Sequence, residues 1–305
     1  MGWPCNDIGG DFECQLGRDS PIASELASWT PSAFSEDTSP VPTPEGYLRE
    51  YPGSGPPLVL VGEILGGGAS WSAHAERLSP LWRVSTVTPL AVVHAARGEL
   101  PPLSWGIPTE RQALADALLE MGVWEAHLAG WSMGGAIALD FALTFPELVR
   151  TLTLVEPQVR WLLRALGRET ALEREETEWF RNLVDGPITE QRLGEFLLRV
   201  GAVAPGEEPQ QSRAWRLAWA NRLALRSAWG VAAHEDTPDR LQSLDMPLLL
   251  VRGDSTDTLD RAMVDGLAEL LPAARRLVLP GAHTSHMTAI DRFLETFEAF
   301  LQQTA

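Results

Sequence analysis

Serine, histidine and carboxylate side chains in three stretches have the types needed for nucleophilic chemistry. In "GWSMG" (130–134), Ser132 lies between Gly130 and Gly134, with Gly135 following. A serine hydroxyl is a weak nucleophile until a neighbouring base takes its proton and a third group orients that base. "GAHTSHM" (281–287) offers His283 and His286, and histidine is the side chain most ready to move a proton near neutral pH. Candidate carboxylates are Glu156 in "LVEP" and Asp254 and Asp257 in "GDSTD". A metal site would need a third and usually a fourth ligand. His74, His94, His127 and His234 are scattered, with no H-E-x-x-H spacing, so no metal is expected.

The five-residue pattern around Ser132 is weak alone and strong in its setting. An apolar run, "EAHLAGWS" (125–132), leads into it, and a small-residue helix pattern, "MGGAIALDFALTF" (133–145), leads out. A strand–turn–helix of this kind holds the serine in a strained turn, with its Oγ above the sheet. Glycines around it let the backbones approach without Cβ collisions.

Other elements must position this turn. Short apolar runs predict strands at 56–63, 82–89, 150–157, 246–253 and 275–281. Helical spacing occupies 109–123, 260–272 and 291–303. Strands alternating with helices predict an α/β fold, a mostly parallel sheet flanked by helices. Residues 160–230 are helical in pattern, rich in Arg, Glu, Leu and Trp, with no strand signal. The expected organisation is an irregular N-terminal arm (1–45), a core (46–157 and 239–305) and an inserted α-helical cap (158–238).

The chain has 305 residues and a formal net charge of −17, and all 24 of its basic residues are arginine. Such an acidic chain is poorly suited to nucleic acid or an anionic membrane. The absence of lysine excludes Schiff-base, pyridoxal-phosphate and P-loop chemistry. Cys5 and Cys14 read as free thiols in the arm. No secretory signal is recognisable and no apolar run exceeds strand length, so a cytoplasmic protein is expected. A homo-oligomer stays open.

On "GWSMG" in this setting, and on "RRLVLPGAHTSHM" as the loop after a final strand, residues 47–305 resemble the α/β-hydrolase superfamily. The resemblance implies Ser132 as nucleophile and His283 as base. His283 lies ten positions before Phe293, a family spacing, and leaves His286 as a pocket-lining or surface neighbour. The family's usual acid position holds Thr256 here. The acid is then expected from Glu156 first, then Asp254, then Asp257. Met133 and Ile64 are the implied oxyanion-hole donors, and Glu63 stands where the family commonly has glycine. The implied activity is hydrolysis of a carboxylic ester, lactone or thioester with an apolar portion, without a cofactor. Carbon–carbon bond hydrolysis or perhydrolysis at the same triad, and a non-catalytic binding protein, are the alternatives.

Overall fold

Apolar runs bounded by proline or glycine become the central sheet of this computed structural model, which describes residues 43–303 except 103 and 205. Most of the expected arm (residues 1–42, with Cys5 and Cys14) lies outside the described residues. The strands are β1 (Leu48–Glu50), β2 (Pro57–Val61), β3 (Arg83–Val87), β4 (Ala126–Trp131), β5 (Val149–Val155), β6 (Leu248–Gly253) and β7 (Arg275–Leu279). Their order is β1-β3-β2-β4-β5-β6-β7. β1 pairs antiparallel with β3, and the remaining pairs are parallel.

Strand periodicity divides the core between two faces, because successive side chains point to opposite sides. Leu58, Leu60, Trp131 and Val251 face one side with Phe293 and Phe297. Val59, Val61, Leu128 and Leu154 face the other. Helices α1 (Ser72–Leu78) and α12 (Ile290–Gln302) cover the first face. Helices α2 (Leu90–Ala96), α3 (Ile107–Glu120), α4 (Met133–Thr144) and α10 (Thr258–Leu270) cover the second. The short α11 (Ser285–Thr288) precedes α12.

Two helices, α1 and α2, form where the sequence suggested no element. The first turn of α2 has no side-chain cap of its own. Buried Glu110 caps it from α3, accepting from the Leu90 and Ala91 amides (2.9 and 3.2 Å) and from Trp105 Nε1 (2.7 Å). Burial pushes the Glu110 carboxyl up to about 7.

Between β5 and β6 the chain forms α5 (Arg160–Ala165), α6 (Ala171–Arg181), α7 (Glu190–Arg199), α8 (Trp215–Ala220) and α9 (Ala228–Ala232), with no strand. The helical pattern expected over residues 160–230 falls within this segment. Asn221 within it donates from Nδ2 to Leu65 O at 2.6 Å, tying it to the loop after β2. Among the described residues, no helix is long and apolar enough to cross a membrane.

Candidate active site

Ser132 sits where β4 turns into α4, with φ 56° and ψ −120°. Only Ser132 and Glu156 among the described non-glycine residues have positive φ. Backbone strain of this kind persists only where the surroundings enforce it, and it clusters at functional sites. Close approach enforces it here. A Cβ on Gly130 would lie 2.2 Å from Gly134 O, and one on Gly134 would lie 2.3 Å from Val61 O. The Ser132 amide donates to Val155 O (3.0 Å), and its carbonyl accepts from Gln158 N (3.1 Å). Both bonds tie the turn to the end of β5 and the residues just beyond it.

His283 lies in the loop after β7 and is 4% exposed. Its carbonyl accepts from Trp131 Nε1 at 3.0 Å, and the two rings lie 5.3 Å apart. Nδ1 bonds Glu156 Oε2 at 2.8 Å. This fixes Nδ1 as the protonated nitrogen and leaves Nε2 for a nucleophile. Glu156 is fully buried. Its other oxygen accepts from Gly253 N (2.7 Å) and from the Thr256 hydroxyl. The residue at the family's usual acid position therefore holds the carboxylate that approaches His283 from β5.

Sequence reasoning missed a second carboxylate. Asp260 Oδ2 is 3.0 Å from His283 Nδ1. Its Oδ1 accepts from Gln158 Nε2 at 2.8 Å. The signal was present: Asp260, Met263, Val264 and Leu267 follow helical spacing, and all four are buried. A carboxylate on an apolar stripe requires a partner. Burial opposes the charged form of His283, but Asp260 and Glu156 outweigh it and raise its pKa to about 10. Burial also opposes the charged Asp260, yet His283, Gln158 and Arg160 together hold its carboxyl below the usual range.

Asp254 and Asp257 go elsewhere. Asp254 Oδ1 accepts from Gly281 N (3.0 Å) and Ser255 Oγ (2.8 Å), which braces the histidine loop but does not bring the carboxylate into ion-pair range of His283. Asp257 caps α10, accepting from the Leu259 and Asp260 amides at 2.8 and 3.1 Å. Burial, then Asp260, push its carboxyl up to about 6.

His286 is neither at the surface nor in the cavity beside Ser132, contrary to expectation. It is completely buried among Trp131, Trp71 and His74, with ring centroids 4.6, 4.9 and 5.4 Å away. Position 286 falls in α11, whose buried residues are Ser285 and His286. Neither ring nitrogen has a hydrogen-bond partner. Burial pushes its pKa well below the ordinary histidine value.

The Met133 and Ile64 amides have no hydrogen-bond partner among the described residues. Glu63, beside them, turns its carboxylate onto its own loop, accepting from Leu65 N (2.7 Å) and Gly66 N. Burial raises this carboxyl, while those amides and His283 oppose the rise. Ile64, Ser132, Met133, Gln158 and Arg160 line a cavity with apolar groups of the β5–β6 segment, including Phe180, Phe196 and Val231. Its free space is about 360 Å³, including the open mouth.

Among the described residues, two clusters bring three possible metal-ligating groups together: Glu156, Asp260 and His283, and Asp140, His234 and Asp236. The first is satisfied by the bonds described above. In the second, Arg111 pairs with Asp140 (2.9 Å) and Arg240 with Asp236 (2.7 Å), supplying the positive charge internally.

A serine on a strand–turn–helix, a histidine after the last strand and a run of helices between β5 and β6 define a hydrolase-type α/β architecture. The chain belongs to the alpha/beta hydrolase fold family, whose model matches residues 107–290. It is 28% identical over 264 residues to a pimeloyl-[acyl-carrier protein] methyl ester esterase of Aeromonas hydrophila, covering 82% of this chain and 96% of that one. A hydrolase from Pseudomonas aeruginosa has a similar structure, with TM-score 0.70, 20% identity and coverage of 88% and 99%. An esterase from Exiguobacterium antarcticum matches with TM-score 0.68, 19% identity and coverage of 84% and 95%.

Proposed function

We propose that the chain is a serine esterase that cleaves small carboxylic esters with an apolar portion through an acyl-enzyme. His283 Nε2 takes the proton from Ser132 Oγ as that oxygen attacks the ester carbonyl. The Ile64 and Met133 amides receive the oxyanion, and the imidazolium protonates the leaving alcohol. Water then attacks the acyl-enzyme with His283 again as base, releasing the acid and restoring Ser132. Glu156 orients His283 and stabilises its charged form, and Asp260 adds a second negative charge.

The observations that carry this reading are strained Ser132, at φ 56°, and a histidine whose Nδ1 lies 2.8 Å from a buried carboxylate. Relatives named as esterases support the ester as substrate class. The self-engaged Glu63 carboxylate removes the main motive for a non-catalytic reading, since its charge is directed at its own loop amides. The test is labelling with a fluorophosphonate. An adduct on Ser132 of the native protein, together with turnover of p-nitrophenyl esters, is expected. Absence of both, in a folded protein, overturns the reading. Turnover across esters of rising acyl length then sets the size limit of the cavity.

A further inference from the structure

Arg160 opens α5 and lines the same cavity as Ser132. It is 5% exposed, and its Nη1 is buried without a hydrogen-bond partner. Its Cζ lies over the Phe180 ring, 4.8 Å from the centroid. Among the described residues, no carboxylate comes within ion-pair distance of it.

The carboxylates that act on Arg160 at longer range are Asp260, Glu176, Glu173 and Asp257. Each is already engaged. Asp260 holds His283 and Gln158. Glu173 pairs with Arg164 at 3.2 Å, and Glu176 pairs with Arg199. Asp257 caps α10. A guanidinium keeps its proton at any ordinary pH, so this charge cannot escape burial by neutralising. A buried charge without a close partner is costly, and the usual resolution is an anion. The cavity supplies the place for one, because Arg160 and Ser132 share it and much of the remaining lining is apolar. A planar guanidinium suits a carboxylate, which it can bind through two parallel N–H bonds.

We propose that Arg160 is a specificity residue that binds a free carboxylate of the substrate, so that the preferred esters carry an anionic group joined by a short apolar stem to the ester cleaved at Ser132. This rests on the esterase reading and narrows its substrate class. The carboxylate can belong to the acyl part, as in a half-ester of a short dicarboxylic acid, or to the alcohol part, as in an acyl ester of a hydroxy acid.

The test compares esters of matched length with and without the carboxylate. Monomethyl glutarate against methyl pentanoate probes the acyl side. The butyryl ester of 3-hydroxypropanoate against propyl butyrate probes the alcohol side. A charge-assisted bond predicts a kcat/KM preference of about 10- to 100-fold for one anionic member, expressed mainly in KM. Arg160→Gln should erase most of that preference, and Arg160→Lys should restore part of it. Free glutarate should also raise the melting temperature of the wild-type protein and have less effect on Arg160→Gln. If neutral esters are hydrolysed and Ser132 is labelled, but neither anionic ester is preferred, the proposal is overturned and the esterase reading stands. If Ser132 is neither labelled nor active, the esterase reading fails and this proposal fails with it. Stabilisation by glutarate that depends on Arg160 would then report an anion site alone.

Discussion

Asp260→Asn separates the charge state of His283 from its orientation. Asparagine keeps the shape and an oxygen to accept from Gln158, while Glu156 remains 2.8 Å from Nδ1. One negative charge at 3.0 Å from the imidazole is lost. At that separation and an effective dielectric of about 20, the bare attraction is about 5.5 kcal/mol. Losing one such neighbour typically shifts a pKa by about 1–3 units, since burial and the remaining charges absorb part of the attraction. The sign follows from the raised value of about 10: Asp260 favours the protonated imidazole, and only the neutral imidazole acts as base. Removing Asp260 lowers that pKa, so the rising limb of kcat/KM should move to lower pH by about 1–3 units. The other ionisable neighbours, Glu63, Glu156 and His286, are unaltered by the substitution. The assay is a pH series of initial rates on a neutral ester, read by titrating the released acid so that product ionisation does not distort the profile. A variant that keeps its plateau rate but shows an unmoved limb refutes the reasoning. The same linkage acts on stability. The contribution of charged His283 is complete below its unfolded pKa of about 6.5 and is lost as pH rises through about 10.

Thr256→Val removes the hydroxyl bond to buried Glu156 while keeping the side-chain shape. A bond to a charged group is worth about 1.5–3 kcal/mol, so the melting temperature should fall by about 3–12 °C, with a lower kcat, by calorimetry and steady-state kinetics. Gly134→Ala places a methyl 2.3 Å from Val61 O and 2.5 Å from Gly62 O. The turn must shift and carry the Met133 amide with it, and loss of one oxyanion donor lowers kcat by about 10²–10³-fold, which a slowed fluorophosphonate reaction in a protein with unchanged circular dichroism would report.

Much of the fold is readable from local pattern. β2, β4, β5 and β6 are short apolar runs, each bounded by turn residues or a helix start, as suits strands buried on both faces. The run that forms α2, "LAVVHAA", is apolar on nearly every side, and such a run carries no period that separates a buried helix from a strand. Glu110, twenty residues from Leu90, caps that helix, and nothing near it in sequence reveals the partnership. His286 stands three residues from His283 and has the same chemistry, yet α11 buries it away from the cavity.

The sequence by itself determined the Ser132 turn and the histidine loop. Glycine spacing, strand ends and helix starts are local steric facts, and they fix where Ser132 and His283 stand in their elements. The tertiary structure alone decided which carboxylates meet the histidine. Glu156 and His283 are 127 residues apart, and Glu156 meets Gly253 and Thr256 across 97 and 100 residues. Those meetings depend on the pairing of β5 with β6 and β6 with β7, which align Val155 with Val251 and Gly253 with Leu279. Inter-strand register is a property of packing across the sheet, and it brings Glu156 to His283, while Asp260 arrives on the buried side of α10 and Asp254 and Asp257 serve in loop bracing and helix capping.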